Sequence, residues 1–487
     1  MKNKFFFIAL GFFVTFQINA QPLEVNSNGH FLKTPAGKDF FWLADTGWEL
    51  FHRLNRSETT EYLQTRSNQG YNVIQAVALY ELEAMKSPND YGDFPFKGKY
   101  VLKFDTTAGN NPDNPQEYDY WDHVEFVLSE AVRLKIHIAL LPCWGEFVTP
   151  REREQLISTE KMAYEFGWFF GNRFKKYNNN IVWMLGGDRL PDETSNGLSI
   201  WRAMAEGITD GVNSINKQDG KANYKHTFMT FHCYRSSSEW FHHDAWLDMH
   251  TWGSYHEKRD NERTYMIAPL DWNLSDPKPT FNSEPAYESS PINYDSDKAQ
   301  WGFFDDFDVR QVAYWSVFSG ACGHTYGNHV VWQMFKKKNN SSPLTNQNKK
   351  EWYEALTEPG SLQMTYLKDL MLSRPYESRI PNQNILASKP HDHTGRMIST
   401  SGKGYCMVYL PTGRSVEIDF KALKFDKIKA WWFNPRNCSS EIIQIFDNDG
   451  KIHSFDPQGT PERTNDWVLV LDDDQIQFEA PGIVSRK

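Results

Sequence analysis

The feature of the sequence that most constrains the fold is the alternation of short apolar runs with amphipathic segments between residues 40 and 372. Most of the runs are continuously apolar, which is typical of parallel strands that are covered on both faces. Between them, apolar residues recur at helical spacing, as they do from Trp121 to Val132. Eight strands alternating with helices predict a (β/α)8 barrel, the TIM-barrel fold. The predicted strands are Phe41–Asp45, Asn72–Leu79, Ile136–Pro142, Ile181–Gly186, Phe228–His232, Leu247–His250, Thr280–Asn282 and His324–Val331.

The pattern changes after residue 375, which we predict to be the end of a barrel domain covering residues 21–375. Short alternating runs follow, separated by turns that contain Gly, Asn and Pro, and they predict an antiparallel β-sandwich over residues 376–487. For the first domain, a doubly wound sheet is the alternative fold. No glycine-rich phosphate-binding sequence follows its first predicted strand, so we favour the barrel.

The first 20 residues have the pattern of a secretory signal peptide. Lys2 and Lys4 precede the apolar stretch Phe5–Phe16, which is too short to cross a bilayer, and the small residue Ala20 offers a cleavage point. We therefore expect a secreted protein that is periplasmic or exposed on the cell surface. The mean hydropathy is −0.64, and no later stretch is apolar enough to predict a membrane span.

Composition narrows the functional classes. The net charge of −10 argues against a nucleic-acid partner, and the five cysteines show no metal-binding spacing. The sequence contains no HExxH helix, GxSxG elbow or P-loop, so we predict no metal and no cofactor. Aromatic residues make up 15% of the chain, which fits either a large aromatic core or the stacking of sugar rings. We expect a monomer.

In a barrel of this kind the working residues lie at the C-terminal ends of the strands. Acids, histidines, amides and aromatics at those ends predict a site for a polyhydroxylated ligand. For the tryptophans, packing in the core remains an equal alternative, and histidines at such positions are more often hydrogen-bonded structural residues than metal ligands. The residues predicted to bind substrate are Asp45, Trp48, Gln75, Tyr80, Trp144, Glu146, His232, Trp252, Asn282 and Tyr326.

Two carboxylates, Asp188 and Glu284, directly follow the apolar runs of the fourth and seventh predicted strands. Side chains at these two positions can converge across the mouth of a barrel. Hydrolysis of a glycosidic bond needs such a pair, one acid to protonate the leaving oxygen and the other to attack the anomeric carbon or activate water. Either acid could instead pair with an arginine or cap a helix, and Glu146 is the rival acid.

At these residues the sequence resembles a known family. Phe41–Trp48, Tyr71–Gln75 and Leu185–Asp188 are similar to motifs of glycoside hydrolase family 140, the apiosidase-like family of gut Bacteroides. Trp432–Arg436 and Phe455–Pro457 resemble the β-sandwich that follows the barrel in this family and is labelled collagen-binding. The resemblance covers most of the chain.

The resemblance implies an apiosidase that cleaves apiose from galacturonic acid in the pectin rhamnogalacturonan II, with a pectic polysaccharide or oligosaccharide as substrate. It also implies that Asp188 is the acid/base and Glu284 the nucleophile. Many retaining barrel glycosidases carry Asn-Glu where this chain has Gly187 and Asp188. A retaining mechanism predicts carboxyl groups about 5–5.5 Å apart, whereas about 6.5 Å or more would indicate inversion.

Three other functions compete with this prediction. The first is a non-catalytic glycan-binding protein on a barrel scaffold, which would bind its ligand without turnover. The second is adhesion to matrix protein through the C-terminal sandwich. The third is a polysaccharide lyase, whose unsaturated product would absorb in the ultraviolet.

Overall fold

The computed structural model describes residues 22–80, 86–98, 102–151, 154–294, 301–337, 350–391 and 393–484. The predicted signal peptide, residues 1–20, lies outside them. Among the described residues, no helix is both long and apolar enough to cross a membrane.

The N-terminal part of the chain is an α/β fold built on a curled parallel sheet. Six strands follow one another in the order β8-β1-β2-β3-β4-β5, and β6 pairs with β7 in a separate parallel pair. A single parallel bridge joins Thr230 to Met249 between β5 and β6, and Cys322 N–H donates to Thr280 O (2.8 Å) between β8 and β7. The strands are β1 Trp42–Thr46, β2 Val73–Val77, β3 His137–Leu141, β4 Ile181–Gly186, β5 Met229–His232, β6 His250–Gly253, β7 Thr280–Glu284 and β8 Gly323–Tyr326.

Two predicted strands differ from the observed ones by three or more residues at one end or both, and the bounds of the other six agree within two residues. Strand β6 begins at His250, the residue at which the predicted strand Leu247–His250 ends. The residues before it are held differently, because the Asp248 carboxylate accepts a hydrogen bond from Met229 N–H at the start of β5 (2.8 Å). Strand β8 ends at Tyr326 rather than Val331. There the Asn328 side chain accepts from Val330 N–H (3.1 Å) and turns the chain, so the following apolar residues are buried in a turn.

Helices cover the sheet and connect its strands. Asn55, Asp119 and Asp305 each begin a helix with a reciprocal capping box, which satisfies backbone N–H groups that the first turn leaves unpaired. The helices are α1 Leu50–Arg53, α2 Arg56–Asn68, α3 Tyr120–Leu134, α4 Glu160–Phe174, α5 Gly197–Val212, α6 Ser238–Phe241, α7 Arg263–Trp272, α8 Asp306–Phe318, α9 Trp352–Ala355 and α10 Pro359–Leu372.

The C-terminal part is a separate domain of antiparallel sheets. One sheet has six strands in the order β9-β10-β11-β16-β13-β14, and β12 pairs with β15. Alternate residues of its strands face a buried core, which explains the alternating pattern in the sequence. The strands are β9 Ile380–Pro381, β10 Ile398–Gly402, β11 Tyr405–Leu410, β12 Val416–Asp419, β13 Lys427–Asn434, β14 Ser439–Asp447, β15 Ile452–Phe455 and β16 Trp467–Asp473.

A buried ion pair joins the two parts of the chain. Arg310 of α8 donates two hydrogen bonds to Asp466, each of 2.8 Å, and both residues are almost fully buried. Tyr409 OH also donates to the Asp466 carboxylate (3.0 Å). A charge buried without its partner is costly, so this pair ties the sheet domain to the helix layer.

We therefore expect Asp466→Asn to lower the free energy of unfolding by about 2 kcal/mol, because buried Arg310 keeps only the partly exposed Asp306 (3.0 Å) as a counter-ion. Urea denaturation of this variant beside Asp447→Asn, whose side chain is 89% exposed, measures the effect. Equal stability of the two variants would contradict the role of the pair.

Candidate active site

The two predicted acids lie together at the C-terminal ends of β4 and β7. An oxygen of Asp188 and an oxygen of Glu284 are within 4.8 Å of each other. Gly186, the last residue of β4, has a φ of 92°, and a Cβ there would stand 2.1 Å from the carbonyl oxygen of His232. Glycine is therefore required for the chain to turn Asp188 toward the neighbouring strand.

A β-bulge in β7 sets the direction of the Glu284 side chain. The register of β7 against β6 shifts between Asn282 and Glu284, so Ser283 is an extra residue in the ladder. Such a bulge redirects the side chains around it. Here both Ser283 and Glu284 reach the same imidazole, that of His232.

His232, the last residue of β5, lies between the two acids. Its Nε2 is 3.1 Å from Glu284 Oε2 and 3.7 Å from Asp188 Oδ1. Its Nδ1 is 2.9 Å from Ser283 Oγ, whose hydroxyl donates to the carbonyl of Trp252 (3.2 Å). When both ring nitrogens carry a proton, Nε2 donates to Glu284 and Nδ1 donates to Ser283 Oγ, whose own hydroxyl donates to the Trp252 carbonyl. Burial alone would lower the pKa of His232, but its bonds to Asp188 and Glu284 raise it to about 9.

A second histidine holds the other oxygen of Glu284. Tyr287 N–H donates to Nδ1 of His256 (3.2 Å), so the proton of a neutral His256 ring is on Nε2, 3.4 Å from Glu284 Oε1. Burial would raise the pKa of Glu284, but hydrogen bonds from His232 and His256 outweigh it and lower this pKa to about 2. Glu284 is therefore ionised at neutral pH.

Asp188 has the opposite tendency. Burial and the nearby charge of Glu284 raise the pKa of Asp188, and His232 only partly offsets them. Its side chain is still 37% exposed and faces the cavity described below. Two carboxyl groups whose pKa values are pushed apart are the arrangement in which one serves as an acid and the other as an anion.

Tyr255 holds Asp188 from the opposite side, because its hydroxyl donates to Asp188 Oδ1 (3.2 Å). Its φ of 54° is in the left-handed region, which costs a residue with a side chain about 1–2 kcal/mol. Tyr255 N–H donates to the Glu284 carbonyl (3.0 Å), and its ring stacks on Tyr234 with centroids 4.9 Å apart. The ring also lies where a side chain on Gly253 would be. These contacts fix a strained residue against both acids.

The acids open into a small cavity with aromatic walls. Its volume is about 240 Å³, which is enough for a single sugar ring. The rings of Trp48 and Trp144 have centroids 5.3 Å apart, and Trp48 Nε1 donates to the hydroxyl of Tyr287 (3.1 Å). The cavity is lined by Trp48, Tyr80, Trp144, Asp188, Tyr255, Glu284, Tyr287 and Trp332.

Of the residues predicted to bind substrate, the structure brings Trp48, Tyr80 and Trp144 to the cavity and His232 to the acids. The other six do not line the cavity, and each forms a hydrogen bond or an ion pair with another residue of the protein. Asp45 accepts from Arg66 (2.6 Å), Gln75 donates to the Ser283 carbonyl (2.9 Å), Trp252 donates to Thr280 Oγ1 (3.1 Å), Asn282 pairs with Ser254 Oγ (2.8 Å), Tyr326 donates to Glu288 (2.5 Å), and Glu146 forms an ion pair with Arg189.

Substrate contact by these six stays a prediction, and the structure shows the protein partners that each has. Their contacts position the strands and the residues beside the acids. Glu146, the rival acid, is neutralised by Arg189 and does not line the cavity.

Sequence reasoning missed four residues at the site: Tyr255, His256, Tyr287 and Trp332. Tyr255 and His256 follow β6, whose end was predicted three residues too early, at His250. Three of them stand just beyond strand ends, Tyr255 and His256 two and three residues past Gly253 and Tyr287 three past Glu284, and this position is the signal that could have found them.

Asp188, His232 and Glu284 are also of the residue types that bind metals, with one possible ligand atom from each inside 4.8 Å. A ligating imidazole must offer a lone pair. The pKa of His232 is raised to about 9 by its bonds to the two acids, which favours the protonated ring, and a protonated ring has no lone pair for a metal.

The comparisons with known proteins agree with this geometry. The family model of the apiosidase-like catalytic domain matches residues 26–378. The chain belongs to the apiosidase-like family. A second model, named for the collagen-binding domain of a collagenase, matches residues 380–472. A search of the curated proteins gave no match.

Solved structures place this apiosidase-like chain among the glycoside hydrolases. One glycoside hydrolase is 32% identical, with 93% of this chain and 97% of the other covered and a TM-score of 0.81. A glycoside hydrolase family 5 structure from Bacteroides vulgatus is 31% identical, with 95% and 96% covered and a TM-score of 0.81. The chain is therefore a glycoside hydrolase by family and by structure, and its substrate is a carbohydrate.

Proposed function

We propose that this glycoside hydrolase is a retaining apiosidase of family 140 that cleaves apiose from galacturonic acid in rhamnogalacturonan II. The observation that carries the proposal is the acid pair, with oxygens of Asp188 and Glu284 inside 4.8 Å and pKa values shifted in opposite directions. Oxygen atoms this close are compatible with the carboxyl separation of about 5–5.5 Å that retaining enzymes have. The match to the apiosidase-like catalytic domain supports the choice of sugar.

In the first step, the Glu284 carboxylate attacks the anomeric carbon while protonated Asp188 gives its proton to the leaving glycosidic oxygen. The carbon–oxygen bond to the leaving sugar breaks, and a glycosyl ester forms on Glu284. Asp188, now ionised, then takes a proton from water, whose oxygen attacks the anomeric carbon and releases Glu284. His232 and His256 keep Glu284 ionised and oriented, and the aromatic walls exclude bulk water.

We also propose that the six-stranded sheet and the β6–β7 pair form one closed eight-stranded barrel. The Thr230–Met249 bridge and the Cys322–Thr280 hydrogen bond on the two sides of the pair support closure. Export to the periplasm or cell surface is proposed from residues 1–20. We propose in addition that the enzyme acts as a monomer.

Incubation of the enzyme with rhamnogalacturonan II and its oligosaccharides tests the proposed function. We expect free apiose to be released and to be detected as a reducing sugar. The products should not absorb in the ultraviolet. An unsaturated product would instead identify a lyase. Binding of these glycans without any turnover would support the glycan-binding alternative and contradict the proposal.

The pH profile of Tyr255→Phe tests the arrangement around Asp188. Activity requires protonated Asp188 and therefore falls as the pH rises through its pKa. The Tyr255 hydroxyl donates to the ionised carboxylate, so its loss is expected to move the alkaline limb of kcat/KM to higher pH and to lower kcat about tenfold. Tyr234→Phe is the control, because that hydroxyl bonds to Glu257. An alkaline limb that stays in place in Tyr255→Phe would contradict the contact.

A further inference from the structure

A second groove lies beside the loop that follows β6, outside the cavity that holds the acids. Its volume is about 440 Å³, and none of its residues was predicted to belong to a site. At its wall the indole of Trp301 is 60% exposed, although a side chain of this size is usually largely buried. The groove is lined by Glu257, Lys258, Arg259, Ile292, Asn293 and Trp301.

One short stretch of chain, residues 255–257, contributes a wall to both the cavity and the groove. Tyr255 lines the cavity, His256 bonds to Glu284, and Glu257 lines the groove. The Cα atoms of residues two apart in a chain lie at most about 7 Å from each other, so a wall of the groove lies close to a wall of the cavity. The far wall is tied to the same loop, since Asn293 N–H donates to the His256 carbonyl (2.6 Å).

The lining has the chemistry of a sugar site. The exposed face of an indole packs against the C–H face of a sugar ring. Lys258 and Arg259 add cationic donors beside it, and each is held in place by an acid, Lys258 by Glu262 (2.7 Å) and Arg259 by Asp308 (3.1 Å). An ammonium has three N–H donors and a guanidinium five, so each keeps donors beyond those that these acids accept.

We propose that this groove is a subsite for a second sugar residue of the substrate. The ring of that residue stacks on Trp301, and its carboxylate or hydroxyl oxygens accept hydrogen bonds from Lys258 and Arg259. Because Glu257 also lines the groove and each cation already pairs with an acid, the groove fits sugar hydroxyl groups as well as a carboxylate. The subsite rests on the proposed function, because it extends the glycan held between Asp188 and Glu284.

The test compares Trp301→Ala with the wild-type enzyme on a short and a long substrate. The short substrate is p-nitrophenyl apioside, and the long one is a rhamnogalacturonan II oligosaccharide with apiose on its galacturonic acid backbone. We expect the variant to raise KM about tenfold on the oligosaccharide and to leave kcat/KM on the aryl glycoside unchanged. Trp301→Phe, which keeps a flat ring, is expected to restore most of the loss. Tyr353→Ala, at an aromatic residue 47% exposed outside both the cavity and the groove, is the matched control.

An unchanged KM on the oligosaccharide would overturn the subsite while leaving the proposed function in place. Equal losses on both substrates would also overturn it, because they would indicate a structural role for Trp301. If the wild-type enzyme turned over neither substrate, the proposed function itself would fall, and the subsite with it.

Discussion

Replacing Glu284 with glutamine is expected to lower kcat by about 10³-fold or more on both glycan and aryl glycoside substrates. Glutamine keeps the shape of the side chain but removes the anion that attacks the anomeric carbon. The loss should be similar for good and poor leaving groups, because either reaction needs the nucleophile. Initial rates on rhamnogalacturonan II oligosaccharides and on p-nitrophenyl apioside measure it.

Glu146→Gln is the matched control, since Glu146 is an acid at the end of a neighbouring strand that pairs with Arg189 away from the cavity. We expect this variant to keep most of its activity. Azide added to Glu284→Gly should restore turnover by filling the place of the carboxylate, and the glycosyl azide formed should have the opposite anomeric configuration. Full activity of Glu284→Gln, or a severe loss in Glu146→Gln alone, would show that the chemistry uses another acid.

Replacing Asp188 with asparagine is expected to lower kcat by about 10³-fold on the natural glycan, whose leaving group needs a proton. The first step on p-nitrophenyl apioside should be much less affected, because nitrophenolate leaves without one. Stopped-flow release of nitrophenol separates this step from the slower hydrolysis of the glycosyl ester. Equal losses in the first step on both substrates would contradict the role of Asp188 as the acid.

The same substitution should remove the alkaline limb of the pH profile. In the wild-type enzyme the acid limb reports the ionisation of Glu284, whose pKa is about 2, so activity should persist into acidic solution. The alkaline limb reports the deprotonation of Asp188, whose pKa is raised by burial and by the charge of Glu284. Loss of the His232 cation near pH 9 should further reduce activity there. A limb that persists unchanged in Asp188→Asn would belong to another group.

Much of the fold follows from local sequence. The apolar run Ile181–Gly186 and the stripe on α3 need only burial and periodicity to be recognised, and both elements form where expected. The end of β6 was harder to predict, because His250–Gly253 is defined by its pairing with β7 and not by hydrophobicity. Long-range pairing of this kind leaves little trace in a single sequence.

For the site, sequence position identified the two acids but not their surroundings. Glu284 is the last residue of β7 and Asp45 is the last but one of β1, yet Asp45 pairs with Arg66 of α2 while Glu284 reaches the cavity. The direction of the Glu284 side chain depends on the bulge at Ser283. That bulge is visible only from the pairing of β7 with β6. The cation on His232 likewise follows from contacts across three strands, and the sequence brings none of them together.

The most direct test of the central claim is a proton NMR time course of hydrolysis by the wild-type enzyme. The anomeric signal of the first sugar released from p-nitrophenyl apioside is compared with that of the substrate before mutarotation. Because Asp188 and Glu284 lie inside 4.8 Å and Glu284 is the anion, we predict that the first product has the same anomeric configuration as the substrate. A first product with the opposite configuration would show a single displacement by water and would contradict a nucleophilic Glu284.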